Sequence, residues 1–201
     1  MENPVERDVL SAIKQRYSAY RYLPRGVEDE KLLTCLEAAR WAASSFNDQP
    51  WSWIIARRED DEAFERMLGV LAEPNRGWAR DAGVLLIGLV RTNFRYNGSP
   101  NRVALHDLGA AAALMALQAA DLGLSVHQMA GLDQAAAAET YGVPEGHEVQ
   151  TALAIGYPDE SEPEGEDAQA LRARVLGARE RLALKEQVFG RQFGVAADVV
   201  A

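Results

Sequence analysis

The chain has 201 residues, of which 48% are hydrophobic and 25% are charged, and its formal net charge at pH 7 is −9. This length suits one domain with a sizeable core, and the composition is that of an ordinary globular protein. The acidic balance and the lack of a basic stripe disfavour nucleic acid as a partner, because nothing would neutralise its phosphates.

Sequence features at the N-terminus and the cysteine content bear on location. The segment after Met1 has neither the basic flank nor the apolar core of a signal peptide, and no apolar run approaches the roughly 20 residues that span a membrane. Cys35 is the single cysteine, which excludes a disulfide scaffold and fits a reducing compartment. It lies in a helical apolar pattern, so we predict a small buried side chain. We expect a cytoplasmic protein without a membrane partner.

Hydrophobic periodicity predicts helices and strands along the whole chain. The predicted helices cover residues 5–15, 28–41, 62–71, 102–122 and 134–141. The predicted strands cover residues 51–56, 84–90, 124–130 and 151–155. The segment 73–78, which contains proline and glycine, is predicted to break the third helix, with a short helix to follow it. The uneven connections between these elements indicate an α+β domain.

The last part of the chain begins with residues 159–167, an acidic segment that contains proline and glycine. This composition predicts a solvated linker. A helical pattern resumes through Leu171 and Val175 and ends in Arg179-Glu180-Arg181.

Several kinds of catalytic site find no support in the sequence. His106, His127 and His147 have no paired metal-ligand spacing, which argues against a zinc site. No phosphate-binding glycine loop, dinucleotide fingerprint or nucleophile elbow is present, and no neighbour in sequence would activate Cys35. An enzyme built on this chain would therefore need a bound cofactor to carry the reaction.

One polar segment, Ser44-Ser45-Phe46-Asn47-Asp48-Gln49-Pro50, separates the second predicted helix from the first predicted strand. Such side chains compete with the backbone for hydrogen bonds, so one interpretation is a simple helix exit and turn. The other is a polar lip whose amides and hydroxyls face a ligand. The spacing alone does not choose between them.

Two cationic segments are candidates for binding an anion. Arg16-x-Ser18 follows the first predicted helix, and Arg179-x-Arg181 follows the last. An arginine at a helix end often only compensates the helix dipole. The planar guanidinium group also presents N–H donors with the spacing of phosphate oxygens. Two such segments could neutralise the roughly two negative charges of a phosphomonoester.

The chain resembles the nitroreductase family, whose members are dimeric flavoenzymes that hold FMN. The segment from Ala39 to Trp51 follows the family pattern Ala-Pro-Ser-x-x-Asn-x-Gln-Pro-Trp, except that Ala43 stands where proline is usual. Residues 16–22 are similar to the family's N-terminal motif, and residues 128–133 to its strand-to-turn segment. Arg179 and Arg181 stand where the family carries two cations near the C-terminus.

The resemblance implies a nitroreductase-like fold, with a central, mostly antiparallel sheet flanked by helices, in an intertwined homodimer that holds FMN at its interface. It implies a single domain over residues 1–201, in which 159–167 leads to a tail that contacts the phosphate. The phosphate and ribityl end would be bound by Arg16, Ser18, Arg179 and Arg181. The partner chain would contribute Ser44, Ser45, Asn47 and Gln49. Further contacts to the cofactor would come from Tyr17, Tyr20, Asn75, Arg76, Met129, Ala130 and Gly131.

The sequence departs from the family pattern at two of these positions. Tyr20 stands where Arg or Lys is frequent near the pyrimidine edge of the flavin, and Ala130 where some members have an acid. A phenol donates a hydrogen bond but supplies no fixed positive charge. Either Arg21 or the Asn75-Arg76 pair compensates, or the reduced flavin is less stabilised.

The activity implied by the resemblance is the transfer of hydride from NAD(P)H through FMN to a nitroarene, a quinone or a similar small electrophile, in a ping-pong sequence. The side chains would supply orientation and electrostatics rather than acid or base catalysis. Two alternatives stay open. One is a flavin-dependent dehydrogenase, oxidase or dehalogenase that acts on another small substrate, and the other is an α+β dimer with a binding or structural role.

Overall fold

Four antiparallel strands form the centre of the structure, a computed structural model that describes residues 2–177 and 179–200. The strands are β1 (Trp51–Arg57), β2 (Val84–Arg91), β3 (Ser125–Met129) and β4 (His147–Gly156). Their order in the sheet is β1-β2-β4-β3, so β2 and β4 lie inside it and β1 and β3 form its edges. The predicted α+β class with an antiparallel sheet is confirmed.

Seven α-helices surround the sheet in the described part of the chain. They are α1 (Ser11–Gln15), α2 (Asp29–Arg40), α3 (Asp61–Val70), α4 (Glu73–Ala79), α5 (Ala104–Asp121), α6 (Gln134–Thr140) and α7 (Glu166–Leu176). Among these residues no helix is long and apolar enough to cross a membrane.

Strand β2 is apolar along most of its length because both of its faces are covered. Side chains alternate between the faces of a strand, and Leu85 and Ile87 accordingly join a core formed with α3, α4 and α6. Val84 and Leu86 join a second core, formed with α2 and α5. Truncating any of these fully buried side chains to alanine would cost about 2–5 kcal/mol of stability.

Three predicted boundaries were wrong, each for a local physical reason. The first helix is confined to α1, because residues 3–10 fold back on it and the N–H of Asn3 donates to the carbonyl of Lys14 at 2.6 Å. The predicted break at 73–78 is instead the body of α4, since Pro74 occupies the first turn, where proline is tolerated. Strand β4 begins at His147 rather than at 151. Its first residues still pair with β2, but in a register that shifts at Gly88/Leu89.

The prediction of a solvated linker over 159–167 was also wrong in part. Asp159 is half-buried and forms an ion pair with Arg21, Pro163 is buried, and α7 begins at Glu166. The start of this segment is therefore bound to Arg21 rather than free in solvent. The predicted single domain over 1–201 includes residues 1, 178 and 201, which lie outside the described residues.

Candidate cofactor-binding site

Arg16, Arg179 and Arg181, which are far apart in the sequence, converge on one cavity, and Arg7 and Glu6 line it as well. Arg16 follows α1 directly, and its extended backbone (φ −62°, ψ 125°) directs the chain away from the helix. Arg179 and Arg181 lie just beyond α7. The cavity has a volume of about 430 Å³ and is lined by Asn3, Pro4, Val5, Glu6, Arg7, Val9, Ile13, Arg16, Arg179, Arg181, Leu182, Ala183 and Leu184. The two cationic segments singled out in the sequence are thus brought together.

The electrostatics of this cavity favour an anion. Burial lowers the pKa of Arg16, and repulsion from Arg181 and Arg179 lowers it further. None of the ion pairs among the described residues involves these three arginines. Like charges that are close together and partly desolvated are stabilised by a bound group of opposite charge. The cavity therefore fits a group such as a phosphate monoester.

Asn3 connects two of the arginine-bearing segments. Its Nδ2 donates to the carbonyls of Ile13 at 2.6 Å and Arg16 at 2.9 Å. Its Oδ1 accepts a hydrogen bond from Nη1 of Arg179, also at 2.6 Å. The same side chain therefore holds the end of α1 and orients a guanidinium group from the C-terminal segment.

Residues 17–20 run from the arginine cavity along β3. The guanidinium carbon of Arg179 lies 5.5 Å from the ring centroid of Tyr17. Burial, followed by the nearby carboxylate of Glu160, raises the pKa of Tyr17 to about 12. Ser18 is half-buried. The ring of Tyr20 lies edge-on to the rings of Trp78 and His127, at centroid separations of 5.2 and 4.5 Å.

The cations considered as replacements near Tyr20 are bonded elsewhere. Arg21 pairs with Asp159 and donates to the carbonyl of Ser161 at 2.7 Å. Arg76 donates to the carbonyls of Leu71 at 2.7 Å and Gly69 at 2.8 Å, which are the unpaired acceptors at the end of α3. Both guanidinium groups are therefore used within the fold.

Gly131 and Asn75 approach each other closely on the other side of this region. Nδ2 of Asn75 donates to the carbonyl of Gly131 at 2.9 Å, and a Cβ at Gly131 would lie 2.5 Å from that nitrogen. Ala130 is exposed and Met129 is buried. The absence of a Cβ thus allows the turn after β3 to pack closely against Asn75 of α4.

The polar segment 44–50 is a tightly fixed loop with unusual backbone geometry. Phe46, Asn47 and Gln49 have positive φ values of 54°, 51° and 47°, a conformation that is strained for side-chain-bearing residues and typical of functional sites. Ser44 Oγ accepts the N–H of Gln49 at 3.0 Å, and Asp107 accepts the N–H of Ser45 at 3.1 Å.

The exposed and buried side chains of this loop have different roles. The buried Asp48 forms an ion pair with Arg91 and accepts the N–H of Arg95 at 2.8 Å. Asn47 is exposed, and its Oδ1 accepts a hydrogen bond from Nε2 of Gln49 at 3.1 Å. Asp48 therefore fixes a loop whose amides remain at the surface, as the polar-lip interpretation requires.

Comparison with known proteins identifies the family. A model of the nitroreductase family matches residues 13–157, more than half of the chain. The chain belongs to the nitroreductase family. This nitroreductase-family chain is 29% identical to a solved oxidoreductase that contains FMN, with a TM-score of 0.86 and 96% of each chain covered.

Other similar proteins cover different shares of this chain. A nitroreductase family protein from Clostridium difficile 630 has the same fold, with 23% identity, a TM-score of 0.70 and coverage of 92% of this chain and 99% of that one. An uncharacterized 15.4 kDa protein of Mycolicibacterium smegmatis is 33% identical over 67% of this chain and 86% of its own length. The major NAD(P)H-flavin oxidoreductase of Aliivibrio fischeri is 40% identical, over 33% of this chain and 28% of its own length.

The nitroreductase-family chain does not bring all the predicted residues into one place. No hydrogen bond among the described residues joins the 44–50 loop to Arg16, Arg179 or Arg181, and the loop does not line the arginine cavity. Tyr17 and Tyr20 line a different cavity, together with Asp159 and Glu160. Within the described part of one chain, the predicted site residues therefore do not form a single group.

Sequence reasoning missed three residues that support the site, Asn3, Ser125 and His127. Ser125 and His127 bond to the main chain of residues 17 and 19. The alternation of a polar residue and a histidine on a predicted strand was the available signal, because positions i and i+2 share a face. Asn3 gave no comparable signal.

Metal and thiol chemistry gain no support from the structure. Within the described ranges no group of three or more His, Cys, Asp or Glu side chains could hold a metal ion. Cys35 is completely buried, as predicted, and burial raises the pKa of its thiol to about 11. It is therefore a packing residue.

Proposed function

We propose that this nitroreductase-family protein is an FMN-dependent oxidoreductase that uses NAD(P)H to reduce a small electrophilic acceptor, such as a nitroarene or a quinone. The observation that carries the proposal is the cavity in which Arg16, Arg179 and Arg181 converge without a carboxylate partner in an ion pair among the described residues. The FMN-containing oxidoreductase that shares the fold over 96% of both chains supports the choice of anion.

In this proposal each group of residues has its own task. Arg16, Arg179 and Arg181 hold the phosphate, and Ser18 adds a hydroxyl donor towards the ribityl chain. Tyr17, Tyr20 and Asn75 border the ring-binding region. The turn formed by Met129, Ala130 and Gly131 would present main-chain groups to the flavin ring. Arg76 acts indirectly, because its guanidinium group caps α3.

The protein is proposed to act as a homodimer in which the 44–50 loop completes the site of the partner chain. The loop is held by hydrogen bonds of Ser44 and Asp107, its Asn47 amide is exposed, and it does not line the arginine cavity of its own chain. Ser44, Ser45, Asn47 and Gln49 would then meet the cofactor from the second copy. A single nitroreductase-like domain over 1–201 supplies both groups.

Bound FMN would supply the hydride-transfer chemistry, so that donor and acceptor can use one cleft in turn, in a ping-pong sequence. The protein residues bind and orient the cofactor and exclude water, and none of them has to exchange a proton with the substrate. The buried, unpaired Cys35 supports a reducing compartment, and we place the protein in the cytoplasm.

The test is the cofactor content and reducibility of the purified protein. We expect a yellow protein that releases FMN on denaturation, and whose bound flavin is bleached rapidly by NADH or NADPH in anaerobic stopped-flow experiments. A colourless protein that takes up no added FMN would overturn the proposal. If the flavin is bound but neither NADH nor NADPH reduces it, NAD(P)H is not the electron donor. That result would favour a dehydrogenase or oxidase that acts on another substrate.

A further inference from the structure

Ser125, on the edge strand β3, holds the main chain next to Arg16. Its hydroxyl donates to the carbonyl of Tyr17 at 2.7 Å and accepts the N–H of Ala19 at 3.1 Å. Ser125 is only 3% exposed, so water cannot readily replace either bond. One hydroxyl thus satisfies a main-chain acceptor and a main-chain donor on the two sides of Ser18.

His127 holds the same segment from the next position on that face of β3. Its Nδ1 lies 2.8 Å from the carbonyl oxygen of Ala19, which requires the proton on Nδ1. Its ring packs against Tyr20 and Trp78, with centroid separations of 4.5 and 4.4 Å. No main-chain hydrogen bond among the described residues joins 17–19 to β3. The side chains of Ser125 and His127 therefore replace the main-chain hydrogen bonds that a neighbouring strand would form with β3.

From these contacts we propose that Ser125 and His127 are positioning residues for recognition of the cofactor phosphate. They fix residues 17–19 and thereby the position of Arg16, which lines the cavity. The inference rests on the proposed function, because it assumes that the arginine cavity holds the phosphate of FMN. Neither residue is assigned a contact with the cofactor itself.

The physical need for such an anchor lies in the charge of the cavity. Arg16 is repelled by Arg179 and Arg181, so a loosely held segment would relax by moving Arg16 away from the other two. The hydrogen bonds to Tyr17 and Ala19 oppose that movement in the absence of ligand. Preorganised donors bind an anion more tightly than donors that must be ordered first.

A role in packing alone predicts a different result from a role in positioning. If Ser125 only stabilises the fold, its loss should weaken all ligands of the site equally. If it positions Arg16, its loss should weaken FMN but spare riboflavin, which lacks the phosphate. The ratio of the two dissociation constants therefore separates the two roles.

The experiment measures the Kd of FMN and of riboflavin for the cofactor-free full chain by fluorescence titration. We expect Ser125→Ala to raise the Kd of FMN about tenfold and to change that of riboflavin less than about twofold, the scale of one buried hydrogen bond. His127→Leu should act in the same direction. Compared with His127→Leu, His127→Asn should keep much of the preference for FMN over riboflavin, because its amide nitrogen can replace Nδ1 as the donor.

Thr92→Val is the matched control. It removes a half-buried hydroxyl that donates to the carbonyl of Gly146 at 3.1 Å, away from residues 17–19, and should leave the ratio unchanged. An unaltered ratio in folded Ser125→Ala would overturn the inference. If that variant does not fold, equal ratios for His127→Leu and His127→Asn would overturn it. Wild-type protein that binds riboflavin as tightly as FMN would instead contradict the proposed phosphate site.

Discussion

Nη1 of Arg179 donates a hydrogen bond to Oδ1 of Asn3 at 2.6 Å, across 176 residues of sequence. Asn3 also binds the carbonyl of Arg16 at 2.9 Å, so both ends of the chain are fixed beside one cavity. A site made in this way requires the complete fold, because neither terminal segment carries all three arginines. We therefore expect cofactor binding to raise the free energy of unfolding by RT ln(1 + [FMN]/Kd).

The first prediction concerns Arg16. Replacing it by alanine should weaken FMN binding by about 1.5–3 kcal/mol, the usual scale for a charge-assisted contact. Isothermal titration or quenching of flavin fluorescence would measure the change. Arg66→Ala is the control, since Arg66 lies on α3 and pairs with Glu62 at 2.8 Å, away from the cavity. Equal affinities of the two variants would remove Arg16 from the site.

The second prediction tests the shared site by complementation. A heterodimer is assembled from one chain with Arg16→Ala and one with Asn47→Ala. If Asn47 serves the partner's site, both changes fall in the same site and the other site stays intact, so half of the sites should bind FMN normally. If Asn47 serves its own chain, both sites are damaged and no site keeps the normal affinity. Differently tagged chains allow the heterodimer to be purified and titrated.

The candidate site residues predicted from the sequence are those whose binding chemistry depends on residue type. The guanidinium groups of Arg16 and Arg179 favour anions such as phosphate. The amide side chains around Asn47 favour partners that form hydrogen bonds. Apolar runs in the sequence also placed β1, β2 and β3 to within a residue or two, because each strand buries at least one face in the core.

The features that the sequence did not reveal depend on long-range contacts. Asn3 and Ser125 bond to partners that only the folded chain brings near. The alternation of Ser125 and His127 on a predicted strand was a weak signal, and Asn3 gave none. The start of β4 at His147 depends on a register shift in its neighbour β2. The helix at Pro74 was missed because proline interrupts a helix interior but not a first turn.

The third prediction concerns the close approach at Gly131. A Cβ there would lie 2.5 Å from Nδ2 of Asn75, which must move and lose its 2.9 Å bond to the Gly131 carbonyl. Gly131→Ala should lower the free energy of unfolding by about 1–3 kcal/mol, as overpacking usually does. In the double variant with Asn75→Ala the two losses should be less than additive, because they share one contact. Urea denaturation of the four proteins gives the coupling, and strict additivity would argue against this contact.

The fourth prediction concerns the pH dependence of stability. Burial lowers the pKa of His127, and its hydrogen bond to Ala19 only partly opposes that effect. The unfolded chain therefore takes up a proton near pH 6.5, before the folded chain does. The free energy of unfolding should fall as the pH drops below about 6.5, towards the lower pKa of the folded state.

This dependence is measured by urea denaturation between pH 7.5 and pH 5 in wild type and in His127→Asn. The variant should lose part of the slope, because its amide does not titrate. Thr92→Val is the control, since it removes a hydroxyl that donates to the carbonyl of Gly146 and no group that titrates in this pH range, and its slope should match that of wild type. If the free energy of unfolding of His127→Asn depends on pH as steeply as that of wild type, groups other than His127 cause the dependence.

The most direct test of the account is a crystal structure of the full chain grown with excess FMN. We expect the phosphate oxygens within hydrogen-bonding distance, about 3 Å, of the guanidinium groups of Arg16, Arg179 and Arg181, and Asn47 of the partner chain at the same cofactor. Arginines that point into solvent around a cavity without FMN would contradict the account.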